Sequence, residues 1–143
     1  MRISFTVPGQ PQARQAHNHT VVAGKVRKYM PKESAAFQDR VRAYAFEAMA
    51  GRSPIGAMCR IEITAYFQAP KALTKARRAE LIEKGSIRYA SRKNDWDNIG
   101  KNICDSLKQV VIEDDGLFVS ANVEKWISYT PRTEITVSIL EEL

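Results

Sequence analysis

The 143-residue chain has few of the residues that build disulfide or metal-thiolate frameworks. Its two cysteines, Cys59 and Cys104, fit no zinc-binding spacing, so we expect two buried, reduced thiols in a cytoplasmic protein. Its two histidines, His17 and His19, have no partner at metal-ligand spacing and are interpreted as loop or phosphate-contact residues. There is no apolar run long enough to cross a membrane, no signal-peptide pattern, no internal repeat and no low-complexity tract. These absences argue against a disulfide-stapled scaffold, a zinc finger and a membrane protein.

Acidic residues are also scarce in most of the chain, although the formal net charge is only +6. Residues 1–93 hold 18 Lys and Arg against 6 Asp and Glu, whereas residues 94–143 hold 4 against 10. A basic majority suits a polyanionic partner such as nucleic acid, and carboxylates confined to one region suit a metal site. A solvated surface without any partner would give the same totals.

Two stretches concentrate the basic charge. The first, about residues 10–32, contains no acid and has a possible small hairpin around Ala23-Gly24-Lys25. It is interpreted as an arm that lies on DNA, with Tyr29 available for stacking, although a solvated loop is the alternative. The second, about residues 71–93, holds eight Lys and Arg against two Glu and is either a second DNA-binding patch or a solvated helix. The DNA-binding candidates in the two stretches are Arg14, Lys25, Arg27, Lys28, Arg92 and Lys93.

Hydrophobic periodicity predicts a single α+β domain over residues 1–143. Alternating apolar residues indicate four strands, over residues 2–7, 59–67, from 117 towards 129, and 133–140, with a change of phase or a bulge near Trp126. Ser34 and Thr74 are good N-cap residues for helices over about 35–50 and 75–84. We therefore expect a mixed four-stranded sheet with helices packed on one face.

The stretch from Asn94 to Gly116 contains five Asp and two Lys around one apolar helix pattern. A helix that starts at Asp97 would bury a stripe and place Lys101 and Asp105 on the opposite side; the stripe is Ile99, Ile103, Leu107 and Val110. If residues 95–97 are extended, Asp95 lies on the same side as Asp97, and Trp96 points away to be buried in the core or at a dimer interface. The turn that ends in Gly116 would return Asp115 to the same place.

Carboxylates brought this close repel one another unless a cation lies between them. Oxygen ligands without His or Cys favour Mg²⁺ or Mn²⁺, and a carboxylate-held metal beside Lys101 suits phosphodiester hydrolysis. Each feature also has a plain structural interpretation. Asp97 would then be a helix cap, Asp97 and Lys101 an exposed ion pair, and residues 113–115 an acidic turn.

The central motif resembles the RusA family of Holliday junction resolvases. The pattern D-x-D-N-x-x-K-x-x-x-D-x-L followed by D-D is present as Asp95, Asp97, Asn98, Lys101, Asp105, Leu107 and then Asp114-Asp115. The resemblance implies that Asp95, Asp97 and Asp115 hold Mg²⁺, with Mn²⁺ as a possible substitute, and that these three and Lys101 are catalytic. It also implies a homodimer that cuts branched DNA at a four-way junction in recombination and repair, commonly encoded by phage or prophage. The basic stretch at 71–93 is longer than in the shorter members of the family.

Three other functions remain open from the residues alone. The alternatives are a DNA-structure-binding module without catalysis, a metal nuclease that acts on RNA or linear duplex ends, and a globular protein without a nucleic-acid role. The first is disfavoured because a simple binder gains nothing from carboxylates held near phosphate.

Overall fold

A computed structural model describes residues 1–14, 18–22, 24–29 and 32–141. For residues 18–22, 26–29 and Glu141 it describes the backbone alone. The strands are β1 (Arg2–Pro8), β2 (Asn18–Val22), β3 (Lys25–Tyr29), β4 (Met58–Gln68), β5 (Ile87–Arg88), β6 (Phe118–Ser128) and β7 (Arg132–Glu141). The helices are α1 (Lys32–Met49), α2 (Lys75–Lys84) and α3 (Trp96–Leu107), and a 3₁₀ turn covers Asp115–Leu117.

The main sheet has the order β1-β7-β4-β6-β5, and β2 and β3 form a separate hairpin. The pair β4–β6 is parallel, and the other neighbours are antiparallel. The α+β prediction is confirmed, but the main sheet has five strands and not four. The additional strand, β5, consists of two residues that pair with Ile127 and Trp126. So short a strand has no alternating pattern that sequence reasoning could detect.

One face of the sheet carries the hydrophobic core. Ile61 and Ile63 of β4 lie opposite Val137 and Ile135 of β7, and all four side chains are at most 1% exposed. Helices α1 and α3 pack against each other, α1 against β1 and α3 against β6. Burying one such aliphatic side chain contributes about 1.5–3 kcal/mol, so this face supplies most of the driving force for folding.

The helix boundaries test the capping predictions. Thr74 caps α2 as predicted, since its Oγ1 accepts the Arg77 N–H at 3.2 Å, and Gly85 ends the helix with φ of 81°. Ser34 is not the N-cap of α1, which begins at Lys32; the Ser34 hydroxyl is buried and donates to the Ala13 carbonyl.

The predicted change of phase near Trp126 is wrong, because the irregularity lies at the start of β6. Cys59 pairs with Phe118 and Arg60 with Ser120, which leaves Val119 without an opposing residue and 55% exposed. This extra residue is a β-bulge, and from the pair Arg60–Ser120 the pairing register is regular to the pair Gln68–Ser128.

A buried amide joins three parts of the chain. The Asn102 side chain in α3 is fully buried; its Nδ2 donates to the Gln12 carbonyl at 2.9 Å, and its Oδ1 accepts from Gln38 Nε2 at 2.8 Å. The backbone N–H of Arg14 donates to the Asn98 carbonyl at 3.0 Å. The N-terminal loop and α1 are therefore fixed to α3 by hydrogen bonds that water cannot replace.

We predict that Asn102→Ala lowers the free energy of unfolding by about 2–4 kcal/mol, because it leaves the buried Gln38 amide and the partly buried Gln12 carbonyl without their partner. Thermal and urea unfolding measure the loss. The matched control is Asn122→Ala on exposed β6, for which a change within about 0.5 kcal/mol is expected. Equal effects of the two variants would contradict the role of this amide.

Candidate active site

The polar side of α3 forms one wall of a cleft of about 520 Å³, called here the α3 cleft. Asp97, Lys101 and Asp105 succeed one another at four-residue spacing and all line it, as the helix pattern predicted. The opposite wall comes from the sheet. The cleft is lined by Arg14, Ile61, Ile63, Trp96, Asp97, Gly100, Lys101, Cys104, Asp105, Asp115, Phe118, Ala121 and Val123.

The acidic turn delivers Asp115 to the same cleft. Asp114 and Asp115 have different roles. Asp114 Oδ2 accepts the Gly116 N–H at 2.9 Å and so caps the 3₁₀ turn. Asp115 is about a third exposed and lines the cleft. The turn is itself anchored, because the Glu113 N–H donates to the Ile55 carbonyl at 3.0 Å. The two neighbouring acids therefore separate into one structural residue and one cleft residue.

Asp95 does not line the α3 cleft among the described residues. The expectation that residues 95–97 are extended is wrong, because α3 begins at Trp96 and Asp95 occupies the N-cap position. Asp95 therefore precedes the helix with an extended backbone (φ of −67°, ψ of 137°), and Asp97 lies in the first turn of the helix. The Asp95 carboxylate is exposed and makes no capping hydrogen bond, which leaves it available at the end of the helix.

Two cations balance the carboxylates of the cleft. Lys108 Nζ lies 3.3 Å from Asp115 Oδ2 and 3.5 Å from Asp105 Oδ1. Arg14 Nη1 lies 2.9 Å from Asp105 Oδ2. The hydrogen bond that Lys108 donates to Asp115 and the charges of both carboxylates raise the pKa of Lys108, so its ammonium stays charged at neutral pH. Lys108 was not among the predicted site residues. Its three-residue spacing from Asp105 indicates that ion pair, but no local pattern predicts its pairing with Asp115.

The thiol of Cys104 reports on the electrostatics of the cleft. Burial raises the pKa of the Cys104 thiol to about 11, and the negative charges of Asp115 and Asp105 act in the same direction. Cys59 is buried as expected, whereas Cys104 is only partly buried, so the expectation of two buried thiols is wrong for Cys104. The carboxylates of Asp97, Asp105 and Asp115 are the oxygen donors that this cleft offers to a hard cation.

We predict that iodoacetamide alkylates Cys104 at pH 8 roughly a hundredfold more slowly than a free thiol, with a rate that rises about tenfold per pH unit up to pH 10. The raised pKa lowers the thiolate fraction, and the thiolate is the nucleophile. Mass spectrometry of the labelled peptide gives the rate, and Cys104→Ser is the control for assigning it. Rapid labelling at pH 7 would contradict this account of the cleft.

Trp96 is 61% exposed, so the expectation that it is buried in the core is wrong. It lines the α3 cleft and also a neighbouring groove of about 780 Å³. Arg92 lines this groove as well, and Lys93 beside it is exposed. The predicted DNA-binding residues therefore include Arg14 in the α3 cleft and Arg92 in the neighbouring groove, whereas Lys93 is exposed and is not part of the groove lining.

The remaining candidates lie in or near the β2–β3 hairpin, whose existence is confirmed. Lys25 is exposed at its turn. Arg27 and Lys28 belong to β3, and their side chains, like those of His19 and Tyr29, lie outside the described atoms. His17 lies outside the described residues altogether.

No three His, Cys, Asp or Glu side chains come together closely enough to hold a metal ion in the described part of the chain. Two carboxylates of the predicted metal set, Asp97 and Asp115, line one cleft, and Asp95 stands at the start of the helix that carries Asp97. Among residues 1–14, 18–22, 24–29 and 32–141, no helix is long and apolar enough to cross a membrane.

Acidic residues and a lysine in a cleft that adjoins a basic groove are typical of enzymes that act on phosphodiesters. The family model described as "Endodeoxyribonuclease RusA" matches residues 8–138, and the chain belongs to this family. The chain is also 29% identical over 136 residues to the "Uncharacterized protein YqaN" of Bacillus subtilis (strain 168), covering 94% of each chain. The match confirms the resemblance read from the central motif. Membership implies a nuclease that acts on DNA junctions.

Proposed function

We propose that this protein is a Mg²⁺-dependent endodeoxyribonuclease that resolves four-way Holliday junctions by paired symmetric nicks. The observation that carries the proposal is the α3 cleft, in which Asp97, Lys101 and Asp115 from two separate segments line one cavity. A fourth residue of the central motif, Asp95, is the N-cap of the helix that carries Asp97 and Lys101, and it is absent from the described lining of the cleft.

The donor chemistry of the cleft fits a hard divalent cation. Asp97 and Asp115 offer carboxylate oxygens, and no histidine lines the cleft among the described residues, which favours Mg²⁺ or Mn²⁺ over zinc. We assign Asp97, Asp115 and Asp95 as the residues that would hold the ion. When bound, Mg²⁺ would supply an activated water and neutralise charge on the reacting phosphate.

The protein side chains provide the remaining functions. The Lys101 ammonium lies one helical turn beyond Asp97 and would stabilise the attacking hydroxide or the leaving oxygen. Lys108 holds Asp115 through an ion pair of 3.3 Å and fixes that carboxylate at the cleft. Arg14 neutralises Asp105 at 2.9 Å, which lowers the repulsion that a phosphate approaching the cleft would meet.

Paired symmetric nicks require two active sites related by a two-fold axis, so we propose that the active form is a homodimer. Branched DNA is then the physiological partner, and the setting is DNA recombination and repair in the cytoplasm of a bacterium, with a phage or prophage gene as the source. The basic residues proposed to contact DNA are Arg14, Lys25, Arg27, Lys28, Arg92 and Lys93.

The test is cleavage of a synthetic four-way junction with Mg²⁺, alongside a linear duplex of the same sequence. Wild type should make paired nicks in the junction only. Asp97→Asn and Asp115→Asn should each lower the cleavage rate by about a hundredfold or more, because each variant keeps the side-chain shape and removes a charge that holds the metal.

Asp114→Asn is the matched control for Asp115→Asn. Its amide oxygen can still accept the Gly116 N–H, so we expect a cleavage rate within about threefold of wild type. Junction binding without cutting by wild type would indicate a DNA-structure-binding module. Equal cutting of the linear duplex would keep the nuclease and refute the junction preference, and faster cutting of RNA would change the substrate class.

A further inference from the structure

The second cavity, called here the basic groove, lies beside the α3 cleft and is built largely by the stretch 71–93. It has a volume of about 780 Å³ and is lined by four cations, Arg77, Arg88, Arg92 and Lys125, together with Tyr89 and Trp96. No carboxylate lines it among the described residues. Trp96 and Val123 line both cavities, so the groove and the cleft are continuous.

Three of the four cations are already engaged within the protein. Lys125 Nζ donates to the carbonyls of Ser91 at 3.1 Å and Asn94 at 2.8 Å, and so fixes the segment that leads into α3. Arg88 pairs with Glu124 at 3.0 Å and lies over the Trp126 ring. These contacts shape the walls of the groove and hold its charge in place.

Arg77 completes this framework, since it donates to the Arg88 carbonyl at 3.0 Å and lies 3.6 Å from Glu80. Arg92 is different: it is exposed and makes no ion pair with any described residue. Together with the 61% exposed indole of Trp96, it is the group that remains available for a ligand.

A free guanidinium beside an exposed aromatic ring matches the two parts of a nucleotide, because the arginine pairs with phosphate and the ring stacks on a base. Bases inside a duplex are covered on both faces by their neighbours, whereas a base at a branch point can leave the stack. The volume of the groove lies within the range of sites that enclose one small molecule.

We propose that the basic groove binds one unstacked nucleotide of the DNA strand that passes through the α3 cleft, with its base on Trp96 and its phosphate at Arg92. The proposal rests on the proposed function, since it takes the strand in the cleft to be DNA. It gives the stretch 71–93 a role in selecting branched DNA, because a continuous duplex offers no unstacked base to the groove.

The experiment measures binding without cleavage, in EDTA, to a four-way junction that carries 2-aminopurine at its branch point. Wild type should quench the 2-aminopurine fluorescence. Trp96→Ala should abolish the quenching and weaken binding about tenfold, whereas Trp96→Phe should retain most of both. Arg92→Ala should weaken binding and lower the slope of log K against log salt by about one.

Two matched control substitutions lie outside the groove. Phe46→Ala removes an exposed aromatic from α1, and Lys71→Ala removes a cation at the start of the same basic stretch; neither should change the quenching. Circular dichroism verifies that each variant is folded, as expected for exposed positions.

Unchanged quenching and affinity in Trp96→Ala, with wild type bound to the junction, would overturn the proposal while leaving the nuclease function standing. Loss of binding that accompanies dissociation of a dimer, measured by sedimentation, would assign Trp96 to a subunit interface and would also overturn it. Conversely, quenching by a wild-type protein that fails to cut in Mg²⁺ would support the groove and refute the proposed catalysis.

Discussion

The buried side chain of Asn102 is the constraint on which the site depends. Its two hydrogen bonds tie α3 to α1 and to the loop before residue 15, and the same loop carries Arg14 to the carboxylate of Asp105. These hydrogen bonds restrict movement of the joined segments, because a shift of either partner would leave a buried polar group without a hydrogen bond. The fully buried apolar stripe of α3 and these hydrogen bonds together fix the rotation of the helix about its axis. The orientation of the acidic side of α3 is therefore fixed from its buried side.

The protein separates its charges by element. The carboxylates of the cleft lie on α3 and in the turn after it. Few cations face them, and one of these, Lys108, lies between Asp105 and Asp115. The larger positive charge lies outside the cleft, in the hairpin and in the stretch 71–93. A polyanion is thus attracted to the margins of the cleft, and only a cation relieves the repulsion at its centre. This arrangement supports both the metal requirement and the DNA substrate of the proposed function.

Sequence reasoning succeeded where a local pattern determines the structure. The four-residue spacing of Asp97, Lys101 and Asp105 placed them on one side of a helix, and Thr74 and Gly85 marked the ends of α2. The prediction failed at the start of α3, where the position of the first helical residue decides which side chains face the cleft. α3 begins at Trp96, so Asp95 is its N-cap residue and is absent from the described lining of the α3 cleft. The Trp96 indole, expected to be buried, is 61% exposed.

Contacts between distant segments could not be read from the sequence at all. Arg14 was predicted as a contact for DNA, and its pairing with Asp105 depends on a chain path set by Asn102. The two-residue strand β5 and the ion pair of Lys108 with Asp115 are equally nonlocal. Such contacts follow from packing, for which no short-range pattern exists.

The parallel pairing of β4 with β6 has a consequence for folding kinetics. The two strands are adjacent in the sheet, but residues 69–117 connect them. This connection contains the stretch 71–93, α3 and the acidic turn. The central strands therefore pair only after this long connection closes, which is a slow, high-contact-order step. The same connection supplies Asp97, Lys101 and Asp115 to the cleft, so the cleft and the centre of the sheet depend on one closure. A ligand that binds the cleft should therefore stabilise the folded chain against unfolding.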